Sequence, residues 1–230
     1  MHVPTEKMKN TLLSLMLADS GAVPALKVDC VPLPVGLLAS ESDFSVYFPV
    51  DALITLGPAQ VTPSTPSARG VVALVGQHGC VGPLQKGAAR MQAHVMVAGH
   101  AYRVDWTPVR DDPARYAPWL WHQTAAMQRR VSQIAQWSFC VQHHTPMQSL
   151  SSWLLHCLAQ HPHADLTLSL NALPQSIRQW VDLSQAGARR APDALAFNVR
   201  DGCLRMPSAP DLAALACPCH AQMSSDVASA

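Results

Sequence analysis

The chain has 230 residues, room for one large domain or two small ones and enough to bury a core. Charged residues make up 13% of it and apolar residues 49%, which excludes wholesale disorder. The formal charge of +1 gives no global attraction to nucleic acid, and no apolar run approaches the roughly 20 residues needed to cross a bilayer, so no membrane partner is expected.

Seven cysteines, at 30, 80, 140, 157, 203, 217 and 219, are odd in number and scattered, with no disulfide framework. A reducing cytoplasm is the expected location. Lys7 and Lys9 precede Thr11-Leu12-Leu13-Ser14-Leu15-Met16-Leu17-Ala18, which Asp19 closes; the run is too short for an export signal and reads as a short amphipathic opening helix.

From about 28 to 110 the texture is β. Phe44 to Thr55 is rich in β-branched and aromatic residues, and Val71–Val75 and Ala93–Val97 are short apolar runs bounded by glycines. The Pro- and Ser-rich stretch between Gly57 and Gly70 reads as a loop tip joining two strands. Short strands at this spacing predict a sandwich or barrel.

After Asp111-Asp112-Pro113 a long helix begins. Leu120, Thr124, Met127, Val131, Ile134, Ser138 and Val141 recur at steps of four and three, the spacing of a coiled-coil seam. A helix laid on its own barrel is the competing reading; the spacing favours a dimer interface. Thr145-Pro146 is an N-cap followed by proline at the first helical position. Leu150, Trp153, Leu154 and Leu158 form one apolar face of the helix that follows, which His161-Pro162-His163 ends. Ala196 to Met206, with Asp201-Gly202 at its middle, predicts a two-stranded hairpin, and the polar tail after Gln222 is expected to fray.

Five segments carry a family resemblance: Leu33-Pro34-Val35-Gly36-Leu37-Leu38, Val46-Tyr47-Phe48-Pro49, the Val75-Gly76…Gly79…Gly82 turn, Leu150-Ser151-Ser152-Trp153-Leu154-Leu155 and the Ala216-Cys217-Pro218-Cys219 tail. In this order they resemble Crp/Fnr-type bacterial transcription regulators. The resemblance implies an α+β chain: an N-terminal jelly-roll, cyclic-nucleotide-binding-like sensor barrel at 1–112, a dimerisation helix at 113–144, a winged helix-turn-helix at 145–222 and a disordered tail at 223–230. It further implies a homodimer, with double-stranded DNA as partner.

The sensors of that family which take cyclic nucleotides hold the phosphate with an acid and an arginine in the turn after the second glycine. Here that turn is Pro83-Leu84-Gln85-Lys86-Gly87-Ala88-Ala89-Arg90, without a carboxylate, so control by cyclic nucleotide is not expected. Cys30 alone precedes Cys80, too few thiols for a four-thiolate iron–sulfur cluster.

Gap-free placement on the family pattern puts the first reading helix at Ser169–Ser176, with Pro174 inside it, and the second at Trp180–Ala191. Gln179, Gln185, Arg189 and Arg190 are the candidate base contacts and Arg178 the candidate phosphate contact. Residues 145–230 hold five arginines against six aspartates, which is poor for phosphate binding. The alternative is therefore a diverged relative that has lost DNA reading and works as a dimeric protein-interaction module. Cys217-Pro218-Cys219-His220, His143-His144 and His161-x-His163 offer soft ligands, but Cys-x-Cys is too short for the usual zinc knuckle, and no metal or cofactor is expected. No nucleophile elbow, phosphate loop or paired carboxylates support an enzyme.

Overall fold

A computed structural model of the chain describes residues 8–19, 26–38, 44–58, 73–82, 91–163, 165–188 and 197–221. The Phe44–Thr55 stretch supplies two strands, β3 (Ser45–Pro49) and β4 (Leu53–Pro58), divided at Val50-Asp51-Ala52. Asp51 fixes the break, its Oδ1 accepting the His100 backbone N–H at 2.5 Å.

The first sheet has the order β1 (Val28–Leu33), β7 (Gly99–Asp105), β3; the second runs β2 (Gly36–Leu37), β6 (Met91–Val97), β4, β5 (Ala73–Val75). Pairing is antiparallel throughout. Side chains of a strand alternate between its faces, and three cores follow from that period. Leu33, Tyr47 and Ala101 of the first sheet meet Ile54, Leu56, Ala73, Val75, Ala93 and Val95 of the second, filling the space between the sheets.

The intervening residues point outward on both sides. Val46, Phe48 and Val104 pack against α1 (Thr11–Ala18), α2 (Thr107–Asp111) and the first turns of α3 (Ala117–His143). On the far side, Leu53, Leu74 and Met96 pack against the end of α3, α4 (Pro146–Gln160) and the C-terminal elements. The opening helix forms as expected. Asn10 caps it by accepting the Leu13 N–H at 2.9 Å, and its Nδ2 donates to the carbonyls of Pro49 (2.8 Å) and Gly79 (3.0 Å), so this buried amide is satisfied and ties α1 to the sheets.

The Thr145-Pro146 signal does start α4, through a reciprocal capping box between Thr145 and Gln148. Its single apolar face becomes burial nearly all round, including Ser149, Ser151, Ser152, His156 and Gln160. The reason is its place between the outer face of the second sheet and the C-terminal elements.

The Asp201-Gly202 hairpin is present as β9 (Asn198–Arg200) and β10 (Cys203–Arg205). Both turn residues have positive φ, 52° and 72°, as a two-residue type I′ turn demands. A strand outside the sequence expectation, β8 (Thr167–Ser169), pairs with β10 to give the order β8-β10-β9. The expected pair of reading helices is not what forms. Leu170–Ala172 makes a single 3-10 turn, Leu173 is extended, and one continuous helix, α5 (Gln175–Ala188), runs through the position expected for the turn. Pro174 explains the correction: it forces the preceding residue out of the helical region, and its carbonyl accepts the Arg178 N–H at 3.0 Å, so it starts α5 rather than interrupting a helix. After the hairpin, Ser208 caps α6 (Ala209–Leu215).

Candidate nucleic-acid interface

α5 is amphipathic. Leu173 at its entrance, Ile177, Val181 and Ser184 are buried on the C-terminal core. Trp180 is half-buried against Trp137 of α3, ring centroids 6.4 Å apart. The opposite side exposes Gln175, Arg178, Gln179 and Asp182, spaced 0, 3, 4 and 7 along the chain and therefore on one stripe. Of the residues expected to contact DNA, Arg178 and Gln179 lie on that stripe and Gln185 is half-buried. Arg189 and Arg190 lie outside the described residues, as do the 83–90 turn and the 223–230 tail. Gln175 was left out because gap-free placement began the second helix at 180; the signal that would have put it on this helix is Pro174 read as a helix start.

α3 packs on its own chain along one face, as the competing reading expected. Trp119, Ala126, Trp137 and Cys140 are buried on its own chain. Gln133 Oε1 accepts the Leu74 N–H at 3.0 Å, Gln123 Nε2 donates to the Gly82 carbonyl at 3.3 Å, and Arg130 donates to the Cys80 carbonyl. The outward face carries Trp121 (74% exposed), Met127 (56%), Val131 (67%) and Phe139 (48%), all large and apolar. Of the expected seam, Thr124, Met127 and Val131 lie exposed, and Ser138 and Val141 are half-buried. Leu120 packs on the core between the first sheet and α1, and Ile134 on the core between the two sheets. A strict heptad stripe drifts by about 20° per heptad on a straight 3.6-residue helix, which rotates part of the expected seam onto the barrel.

The end of α4 meets the two-sheet unit through one backbone and one side-chain contact. Gln77 N–H donates to the Gln160 carbonyl at 3.0 Å, and His161 Nε2 lies 3.0 Å from the Asp51 carbonyl. Between α3 and α4, Gln133 Nε2 reaches His156 Nε2. Burial first, and then the charges of His220 and His78, push the His156 imidazole down to about 4. A second grouping joins three of the soft ligands expected from the sequence to one that was not: Cys140, His144, Cys217 and Cys219 converge at the junction of α3 with the residues after α6. Burial, and then the neighbouring Cys219 and Cys217, push the Cys140 thiol up.

The fold is that of the Crp/Fnr-type transcription regulators. FixK2 from Bradyrhizobium japonicum superposes with a TM-score of 0.54 at 15% identity, over 84% of this chain and 98% of that chain. A CRP-family transcriptional regulator from Thermus thermophilus superposes with a TM-score of 0.53 at 15% identity, over 83% of this chain and 96% of that one. No family model matches the sequence, and no curated protein matches it. At this identity the likeness is one of fold. Among the described residues no helix is long and apolar enough to cross a membrane.

Proposed function

We propose that this chain is a DNA-binding transcription regulator of the Crp/Fnr type that acts as a homodimer in the cytoplasm and is not controlled by cyclic nucleotide. In this reading the two-sheet unit at 1–112 is a jelly-roll sensor, α3 is the dimer seam, and residues 145–222 are the reading head. The single observation that carries it is the stripe of Gln175, Arg178, Gln179 and Asp182 along the solvent face of α5, the helix that precedes the β9–β10 hairpin in chain order. A recognition helix reads the major groove with side chains near its N-terminus, and a hairpin beside it serves as wing. Arg178 is a guanine or phosphate contact and Gln179 an adenine contact. The exposed apolar face of α3 supports the two-fold pairing that places two such helices about one helical turn apart. The signal is transmitted as a shift in the population of reading-head arrangements.

Selection from a random duplex pool, followed by anisotropy of the enriched sequence across a salt series, tests this. The expected result is a two-fold site with a steep salt slope, and a slope lower by about one unit for Arg178→Ala if that side chain meets phosphate. No enrichment by a folded dimer overturns it. One observation favours the protein-interaction alternative: Leu183 stands 56% exposed beside Asp182 on the same side of α5, and the described part of that face carries no net charge. The packing of Trp180 on Trp137 weighs against it, because that indole is withdrawn from any docking patch.

A further inference from the structure

We propose that Cys140, His144, Cys217 and Cys219 form a Cys₃His site for one zinc ion, which fastens the end of α3 to the C-terminal segment. The four ligand atoms all lie within 4.8 Å of one another. The Cys140 and Cys217 sulfurs are 3.7 Å apart, and His144 Nε2 is 3.3 Å from the Cys219 sulfur. With zinc–sulfur bonds of about 2.3 Å, the sulfurs of a tetrahedral site stand about 3.8 Å apart, so the Cys140–Cys217 separation is already a tetrahedral edge. Three thiolates and an imidazole are a soft donor set, and soft donors in a tetrahedral arrangement select zinc over magnesium or calcium.

Local structure places each ligand for its own reason. Cys140 and His144 are four residues apart at the end of α3, hence on one face, and the His144 N–H donates to the Cys140 carbonyl at 3.0 Å. Cys217 and Cys219 flank Pro218 in a tight turn closed by the His220 N–H on the Cys217 carbonyl at 3.1 Å. That turn aims both sulfurs back at α3, which is how a Cys-x-Cys pair too short for a zinc knuckle serves as half of a site whose other half comes from a helix end.

Ser152 of α4 supports the arrangement. Its Oγ accepts the Cys217 N–H at 3.0 Å and lies 3.1 Å from the Cys217 sulfur, so its own hydrogen is left to donate to that sulfur once it is a thiolate. Cys140, Cys217 and Cys219 are buried, whereas His144 is half-buried and lines an open cavity of about 440 Å³ between α3, α4 and α5, an access route for the ion. The ion would close a loop of 77 residues that contains α4, the β8-β10-β9 sheet, α5 and α6. Its consequence is mechanical: the peptide between His144 and Thr145 joins α3 to everything that follows, and zinc would make a second attachment there. This site is independent of whether α5 reads DNA.

The test uses the full-length protein, purified under reducing conditions without chelator. Elemental analysis is expected to find about one zinc per chain, and Co²⁺ in its place should give the intense visible bands and thiolate charge-transfer of a tetrahedral sulfur-rich site. Cys219→Ser should abolish stoichiometric zinc, Ser152→Ala should weaken zinc affinity about tenfold in competition with a chromophoric chelator, and Cys30→Ser should change neither. The wild-type cobalt spectrum stands even where a cysteine variant folds poorly. Absence of zinc together with absence of cobalt charge-transfer bands overturns the proposal. So does a thiol count showing a Cys140–Cys217 disulfide in the native protein, or zinc that Cys219→Ser leaves in place.

Discussion

A Cβ on Gly76 would stand 2.1 Å from the backbone oxygen of Gln160, so the turn after β5 and the end of α4 meet there with no side chain between them. The same contact carries the Gln77-to-Gln160 hydrogen bond, and the Thr11 N–H donates to the Gln77 carbonyl at 2.9 Å, linking α1, the turn after β5 and α4 in series. The close approach of the end of α4 to the Gly76-Gln77 turn therefore requires a glycine at 76.

Gly76→Ala tests that relationship. The obstruction is backbone rather than a flexible side chain, so the two elements must part instead of repacking. The expected cost is about 1–3 kcal/mol, read as a lower urea midpoint, with faster proteolysis in the α4 region as the docked surface opens. Gly36→Ala is the contrast, because nothing lies within 4 Å of its Cβ and only its φ of 132° opposes the change. An unchanged midpoint for Gly76→Ala would show that the contact does not hold the two parts together.

Val131→Asp tests the outward face of α3. Val131 is 67% exposed in the single chain, so the substitution leaves intrachain packing nearly untouched. In a two-fold pair the same carboxylate would be buried against its copy, desolvated and facing like charge. The dimer dissociation constant is expected to rise at least about tenfold, the equivalent of 1.4 kcal/mol, in sedimentation equilibrium, with unchanged circular dichroism. A wild-type monomer at micromolar concentration, or equal association of the variant, would remove α3 as the seam.

What the sequence made legible is local chemistry. Asp201-Gly202 announced a hairpin because few residue pairs tolerate two positive φ values in succession. Thr145-Pro146 announced α4 because a capping oxygen and a residue without an N–H belong at a helix start. Phe44–Thr55 read as strand, although the break at Asp51 depends on a partner 49 residues away. Alignment with a family pattern, by contrast, misplaced α5, because it set Pro174 inside a helix while the chemistry of proline put it at a start. The heptad on α3 was legible as a period, yet which of its residues face inward was decided by the sheets beneath it. Cys217, Cys219 and His144 were legible as soft ligands, but their meeting with Cys140 was not, since neither half has the spacing of a metal motif and the convergence depends on the packing of α6 against α4.

Acid is expected to loosen the junction of α3 and α4 through His156. Its imidazole is fully buried and held down to about 4 by burial, then by His220 and His78. Gln133 Oε1 is occupied by the Leu74 N–H, so the amide presents Nε2 to the ring; the neutral ring accepts there, and a protonated ring would set donor against donor. The folded state thus binds this proton less readily than the unfolded chain, whose histidine titrates near 6.5. The stability it contributes is complete above about pH 6.5 and is lost as pH falls toward about 4, because the unfolded state takes up the extra proton across that window. A shift of this size amounts to roughly 3 kcal/mol. His78 and His220 are lowered by burial as well and add loss in the same direction. Urea unfolding of the wild type and of His156→Gln at pH 7.5, 6 and 5 isolates the His156 share: the variant should be less stable at neutral pH but lose less on acidification. Parallel pH profiles for the two proteins would place the acid sensitivity elsewhere.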